Sequence, residues 1–170
     1  MLLENKNAIV YGAGGAIGGA VARAFAHEGA RVFLAGRSPG PVTALAGEIT
    51  AKGGRAEAGH ADVLDAASVE AHFAGVTARA GAVDVSFNAF GLPQRGVQGI
   101  PLAELTPDAF AAPVRDTTPE AIRAFFDART SLGRQPTLTE VAETAASLVS
   151  DRASALTGTI VNLSCGSIVD

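Results

Sequence analysis

The 170-residue chain carries one cysteine, no tryptophan, one tyrosine (Tyr11) and two lysines (Lys6 and Lys52). The lone Cys165 has no partner for an internal disulfide, which excludes a disulfide-stapled scaffold and makes the reducing cytoplasm the expected location. Positive charge is also in short supply: 13 Lys and Arg stand against 17 Asp and Glu, for a formal net charge of -4. A chain of that sign offers no basic field to a phosphate backbone, so nucleic acid is not an expected partner. No apolar run approaches the roughly 20 residues of a spanning helix, and the start from Met1 to Lys6 lacks the basic flank and apolar centre of a secretion signal. No membrane is expected.

Hydrophobic residues and glycine are plentiful, at 48% and 20 residues respectively. That is enough apolar material for one well-buried core, and a single domain over residues 1–170 is the expectation. Short apolar runs alternate with amphipathic stretches. Ala8 to Tyr11 reads as a buried strand, and Ile17, Val21, Ala24 and Phe25 then recur at helical spacing until Gly29 offers a C-terminal cap. Arg31 to Ala35 reads as a second strand, and Val42, Leu45 and Ile49 make a helical stripe between Pro41 and Lys52. Arg55 to His60 is a third strand, Asp65 caps a helix carrying Val69, Phe73 and Val76, and Val83 to Phe87 is a fourth strand. Strand and helix repeat in units of about 30 residues, the pattern of right-handed βαβ crossovers. The fold class is α/β, with a parallel sheet covered by helices.

The stretch from Val10 to Gly19, "VYGAGGAIGG", joins the first strand to the first helix. Bare backbone there lets a pyrophosphate approach closely, and the N-terminus of the following helix presents free N–H groups and a positive dipole end. Gly12, Gly14, Gly15 and Gly18, with Ala16 and Ile17 among them, are the candidate phosphate cradle; the alternative is a tight turn that needs glycine for geometry alone. Arg37 and Ser38 follow the second strand. A carboxylate at that place would bind the ribose hydroxyls of NAD, whereas a cation accommodates the 2′-phosphate of NADP, and no Asp or Glu occurs between Arg31 and Gly47. NADP(H) is therefore expected over NAD(H), the alternative for Arg37 being a solvated surface arginine. Asp62 follows the third strand, either to accept from an exocyclic amine or to form a turn.

In these segments the chain resembles the short-chain dehydrogenase/reductase family. "YGAGGAIG" is similar to the family's glycine-rich segment, with Tyr11 where Thr is common; "ADV" from Ala61 to Val63 is similar to its adenine-contacting Asp-Val or Asp-Leu; and "DVSFNAFG" from Asp84 to Gly91 resembles the segment usually read Asn-Asn-Ala-Gly. "LTPDAF" from Leu105 to Phe110 resembles the start of the next helix, and Pro136 to Gly166 resembles the last helix and strand. The resemblance implies a Rossmann-like, doubly wound parallel sheet, a dinucleotide cofactor and carbonyl or hydroxyl chemistry. It adds Val63, Asn88, Ala89 and Gly91 to the cofactor contacts, leaves the small-molecule substrate unspecified, and implies a homo-oligomer.

The same resemblance implies a catalytic Tyr with a Lys four residues later, assisted by a Ser. No Tyr-x-x-x-Lys exists in this chain, and no catalytic residue is assigned. After Phe110 to Val114 the sequence passes directly to "RDTTPEAIRAFF", which is similar to the region following the sixth strand in relatives. The discontinuity is placed near Val114 and Arg115, with two βα units, on the order of 60 residues, missing between. The sheet is then shortened to about five strands, the last, Thr159 to Leu163, taking the place beside the fourth in the order 3-2-1-4-last.

No other constellation replaces the missing groups. His27, His60 and His72 lie far apart without metal-ligand spacing and read as structural. Cys165 reads as a small packed hydrophobe, and Asp116, Glu120 and Asp127 as a solvated helix face begun by Thr118 and Pro119. In the last helix, Thr137 and Glu140 fit a capping box, and Val141, Ala145, Leu148 and Val149 form the apolar stripe. Two expectations remain open: an NADP(H)-dependent oxidoreductase lineage that does not catalyse as written, or a protein that binds nucleotide or a partner without catalysis.

Overall fold

Among the described residues, four β-strands run parallel in the order β3-β2-β1-β4: β1 (Asn7–Tyr11), β2 (Arg31–Gly36), β3 (Arg55–His60) and β4 (Val85–Asn88). The computed structural model describes residues 1–90, 118–156, 158, 159, 161, 163 and 165. The chain divides into two compact units, Met1–Phe90 with Thr137–Ile160 and Gly91–Pro136 with Val161–Asp170.

In the first unit the sheet is built by α1 (Ala16–His27), α2 (Pro39–Ala51) and α3 (Ala66–Ala80) as crossovers, and a further helix, Leu138–Leu148, packs along α1. β1 and β2 are central, so they are buried on both faces and read as continuous apolar runs, fully buried from Ala8 to Tyr11 and from Val32 to Ala35. β3, at the edge, reads RAEAGH and stays largely accessible. One face of the sheet holds the larger core, where Val10, Val32 and Leu34 meet Val21, Ala22 and Phe25 of α1 and Val42, Leu45 and Ile49 of α2. The opposite face carries a smaller core of Ile9, Tyr11, Phe33, Ala35, Ala61 and Val76 beneath α3.

Helix ends follow the residues expected to make them. The Asp65 side chain accepts from the Ala67 amide at 3.0 Å at the start of α3, and Gly81 closes it at φ +82°. β4 begins later than Val83 because the Asp84 carboxylate takes the Asn7 amide at 2.7 Å, so the ladder with β1 starts one residue further on. Across the outer surface Arg23 of α1 grips Glu48 of α2 through Nε at 3.0 Å, with Lys52 on the same carboxylate at 2.9 Å; the two cations hold Glu48 down to about 2.

The unit's last helix buries Ala145 and packs Val149 on the core as expected, but its buried face is otherwise carried by Ala142 and Ala146. Ala142, Ala145 and Ala146 are buried, while Val141 and Leu148 are half-buried. Its small side chains let the helix approach α1, where Ala22 and Ala26 are likewise buried. The capping box is formed in both directions: the Glu140 amide donates to Thr137 Oγ1 at 3.1 Å and the Thr137 amide to Glu140 Oε2 at 2.8 Å. Thr137→Ala is expected to lower stability by about 1 kcal/mol in urea unfolding, with Ser at the same position restoring most of it.

The fifth strand is not seen among the described residues. Thr159, Val161 and Leu163 carry no strand pairing, Ile160 and Asn162 lie outside the described residues, and the described sheet ends at β4. Gly91, the helix expected after Thr106 and the junction near Val114 and Arg115 also lie outside them.

In the second unit a helix, Pro119–Asp127, starts as expected from Thr118, whose Oγ1 accepts from the Ala121 amide at 3.2 Å. Glu120 is exposed, but Asp127 is not simply solvated: its Oδ1 accepts from the Gln135 amide at 3.0 Å and so fixes the turn after the helix. Cys165 is half-buried, adopts φ +51° and lends its carbonyl to the Leu132 amide at 3.1 Å.

Candidate functional site

A parallel sheet sends all its strand ends the same way. The register pairs Tyr11 with Ala35, Ala35 with Gly59, and Tyr11 with Asn88. The turns after β1, β2, β3 and β4 therefore lie along one edge, and each bears residues expected to touch a cofactor. The chain runs from β1 outward to β3 and then returns to the other side of β1 for β4, which opens a crevice at the reversal.

The glycine turn is tied down by backbone alone. The Gly12 and Ala13 amides both donate to the Ala35 carbonyl, at 2.9 and 3.1 Å, and the Gly15 amide donates to the Gly12 carbonyl at 3.1 Å. Gly12 sits at φ +76°, and a Cβ there would stand 2.8 Å from the Ala89 carbonyl oxygen. A Cβ on Gly18 would drive into the Gly12 carbonyl oxygen and lie 2.8 Å from Gly12 C and 2.9 Å from Ala13 Cα. Both contacts are with backbone, so neither can be relieved by turning a side chain. Gly14, Gly15, Ala16 and Ile17 are exposed at the mouth of the turn, with Ile17 at 47%. Gly15, the residue before α1, has no side chain to cap the helix, which leaves the first-turn amides facing outward with the positive end of the dipole. A groove of about 400 Å³ runs from Gly14, Gly15 and Ala16 past Pro41 to Arg23 and Glu48.

Arg37 and Ser38 occupy the turn after β2. Both are exposed; Arg37 makes no ion pair among the described residues, and Ser38 precedes α2 without a side-chain cap hydrogen bond. Asp62 and Val63 follow β3. The Asp62 Oδ1 accepts from the Leu64 amide at 3.1 Å and the Asp62 amide donates to Ser68 Oγ at 3.0 Å, so the turn-forming role is present, with Oδ2 outside these contacts. Asn88 ends β4, exposed, and the Ala89 amide donates to the Tyr11 carbonyl at 2.9 Å.

A second cavity, about 720 Å³, opens on the α3 side of β4, walled by Tyr11, Val63, Phe73, Ser86, Asn88 and Phe90. Burial pushes the Tyr11 phenol up from its ordinary value. The His72 ring meets that of Tyr11 edge-on, centroids 5.7 Å apart at 66°. Sequence reading missed this pairing because residues 11 and 72 share no local spacing. His27 and His60 are exposed, and no group of three metal-ligating side chains occurs among the described residues.

Comparison with known proteins bears on the same region. A family model described as short chain dehydrogenase matches residues 6–115. An uncharacterized oxidoreductase, YxbG, of Bacillus subtilis is 39% identical over 94 residues, which are 55% of this chain and 34% of that protein. The matched stretch thus spans about a third of the length of such curated relatives. Among solved structures, a short-chain dehydrogenase/reductase of the glucose/ribitol dehydrogenase type from Brucella melitensis superposes with TM-score 0.80 at 20% identity, covering 100% of this chain and 99% of that one. A variant of actinorhodin polyketide ketoreductase, solved with NADPH, gives TM-score 0.75 at 22% identity over 89% of this chain and 93% of that one. At such identities these likenesses speak for the fold alone.

Proposed function

Because the chain belongs to the short-chain dehydrogenase family, we propose that the sheet edge described above binds a dinucleotide, NADP(H) in preference to NAD(H), and that this chain as written holds the cofactor without turning over a carbonyl substrate. The observation that carries the reading is the cradle between Gly12 and Gly18, where a Cβ at either end collides with backbone. The cradle, with Ala16 and Ile17 opening α1, suits the pyrophosphate; Arg37 and Ser38 suit a 2′-phosphate; Asp62 and Val63 suit adenine; Asn88 and Ala89, with Gly91 beyond, suit the cofactor where it crosses the sheet. When bound, the nicotinamide supplies or accepts hydride. A proton donor beside it is the missing part: the only tyrosine, Tyr11, is buried beneath α3, and neither Lys6 nor Lys52 stands four residues after it. The family match ending at residue 115 is in keeping with a break near Val114 and Arg115.

Calorimetric titration of the folded chain with NADPH and NADH tests this. Saturable binding that favours NADPH is expected, and Arg37→Ala should weaken NADPH by about tenfold or more while changing NADH by less than about twofold, since a charge-assisted contact to phosphate is lost from one ligand only. Equal losses for both cofactors would remove Arg37 from the 2′-phosphate; no binding by a folded chain would remove the nucleotide. Oxidation of NADPH by any simple ketone would overturn the non-catalytic reading.

A further inference from the structure

His72 lies against a bare patch of β3: a Cβ on Gly59 would stand 2.6 Å from its Nε2 and 2.8 Å from its Cδ2. The ring also meets Tyr11 edge-on, and its Nδ1 is buried with no hydrogen-bond partner among the described residues. A neutral imidazole can present Nδ1 there as an unused acceptor. An imidazolium would place a positive charge and an N–H donor in the same spot, where none of the described residues accepts from that donor. We propose that His72 is a pH-sensitive latch: neutral, it keeps α3 and the turn from Asp62 to Asp65 seated on the sheet, and protonated, it releases them.

The groups around it favour this. β1 contributes Tyr11, β3 contributes His60, and α3 itself contributes Arg79. Arg79 is held in turn by Glu57 at 3.3 Å, a carboxylate that Arg31 Nε also engages at 2.9 Å. Burial first, then Arg79 and His60, hold the His72 imidazole below its ordinary range. A group whose folded value is lowered contributes its full stability above the unfolded value, near 6.5, and loses it as pH falls toward the folded one. The latch reaches the turn through Ser68, whose Oγ accepts from the Asp62 amide at 3.0 Å, and through Asp65, which caps α3. Its consequence for adenosine binding rests on the nucleotide reading above.

The test uses the full chain and His72→Phe, which keeps a flat ring on Gly59 without a titrating nitrogen. Urea midpoints and NADPH affinity are measured at about pH 7.5 and about pH 5.5, together with an NMR titration of the wild-type His72 ring. The ring should titrate below the ordinary histidine range. The wild-type midpoint should fall further on acidification than that of the variant, and wild-type NADPH affinity should drop about threefold or more relative to the variant. Titration of the ligand's own phosphate cancels between the two chains. A ring that titrates at or above the ordinary value, or parallel pH profiles for the two chains, overturns the latch. If His72→Phe does not fold, the wild-type titration decides. A retained difference in stability with no nucleotide bound at either pH supports the latch and sinks the nucleotide reading alone.

Discussion

Gly18→Ala is expected to abolish NADPH binding and to cost about 3 kcal/mol of stability, although it adds a single methyl group. That methyl has no space: it points into the Gly12 carbonyl oxygen, with Gly12 C and Ala13 Cα within 2.9 Å. Overpacking of well-filled sites costs about 1–3 kcal/mol when side chains can yield, and here the obstructing atoms are the turn itself. Moving them would break the donation of the Gly12 and Ala13 amides to Ala35 and misdirect the amides that open α1. Gly12→Ala should fail in a related way, through its φ of +76° and the Ala89 carbonyl 2.8 Å away. Gly47→Ala is the control. It lies in α2 with nothing within 4 Å of its Cβ position, so it should be neutral or stabilising by up to about 1 kcal/mol. Urea unfolding and calorimetry on the three variants decide; a Gly18→Ala chain that binds NADPH as tightly as the parent would show that the turn has room the structure does not give it.

Phe25→Ala is expected to lower stability by about 3–5 kcal/mol, the range for removing a fully buried aromatic. Phe25 is 0% exposed on the sheet-facing side of α1 and meets Phe87 of β4 edge-to-face, ring centroids 6.1 Å apart. It belongs to the larger core, which joins the sheet to α1, α2 and the last helix of the unit, so its loss loosens several contacts together. Domains of this kind are stable by only about 5–15 kcal/mol, and the variant should be near unfolding at moderate temperature. Phe25→Leu, which refills much of the space, should recover most of the difference. A cost below about 1 kcal/mol for Phe25→Ala in urea unfolding would mean that this face is not packed as described.

These two sites differ in how they announce themselves along the chain. Phe25 repeats with Ile17, Val21 and Ala24 at helical spacing, but Ile17 turned out to be exposed at the mouth of the turn while Gly18 beside it is buried. Periodicity marks a helix; it does not say where the helix leaves the core and meets solvent.

The order of strands and helices, the parallel topology from β3 to β4, the glycine turn and the caps at Asp65, Thr118 and Thr137 were determined by sequence alone, because each depends on residues within a few positions of one another or on the handedness of a crossover. Tertiary structure decided the rest. Ala142 and Ala146 join the expected Ala145 in the core in place of the bulkier Val141 and Leu148, since the neighbour is α1 with its own alanines. Thr159, Val161 and Leu163 have the composition of a strand, but pairing needs a neighbouring strand's hydrogen bonds, and among the described residues these three make none in the sheet. The seating of His72 on Gly59 against Tyr11 joins three elements across the sheet, and no local pattern encodes a contact that folding alone brings together.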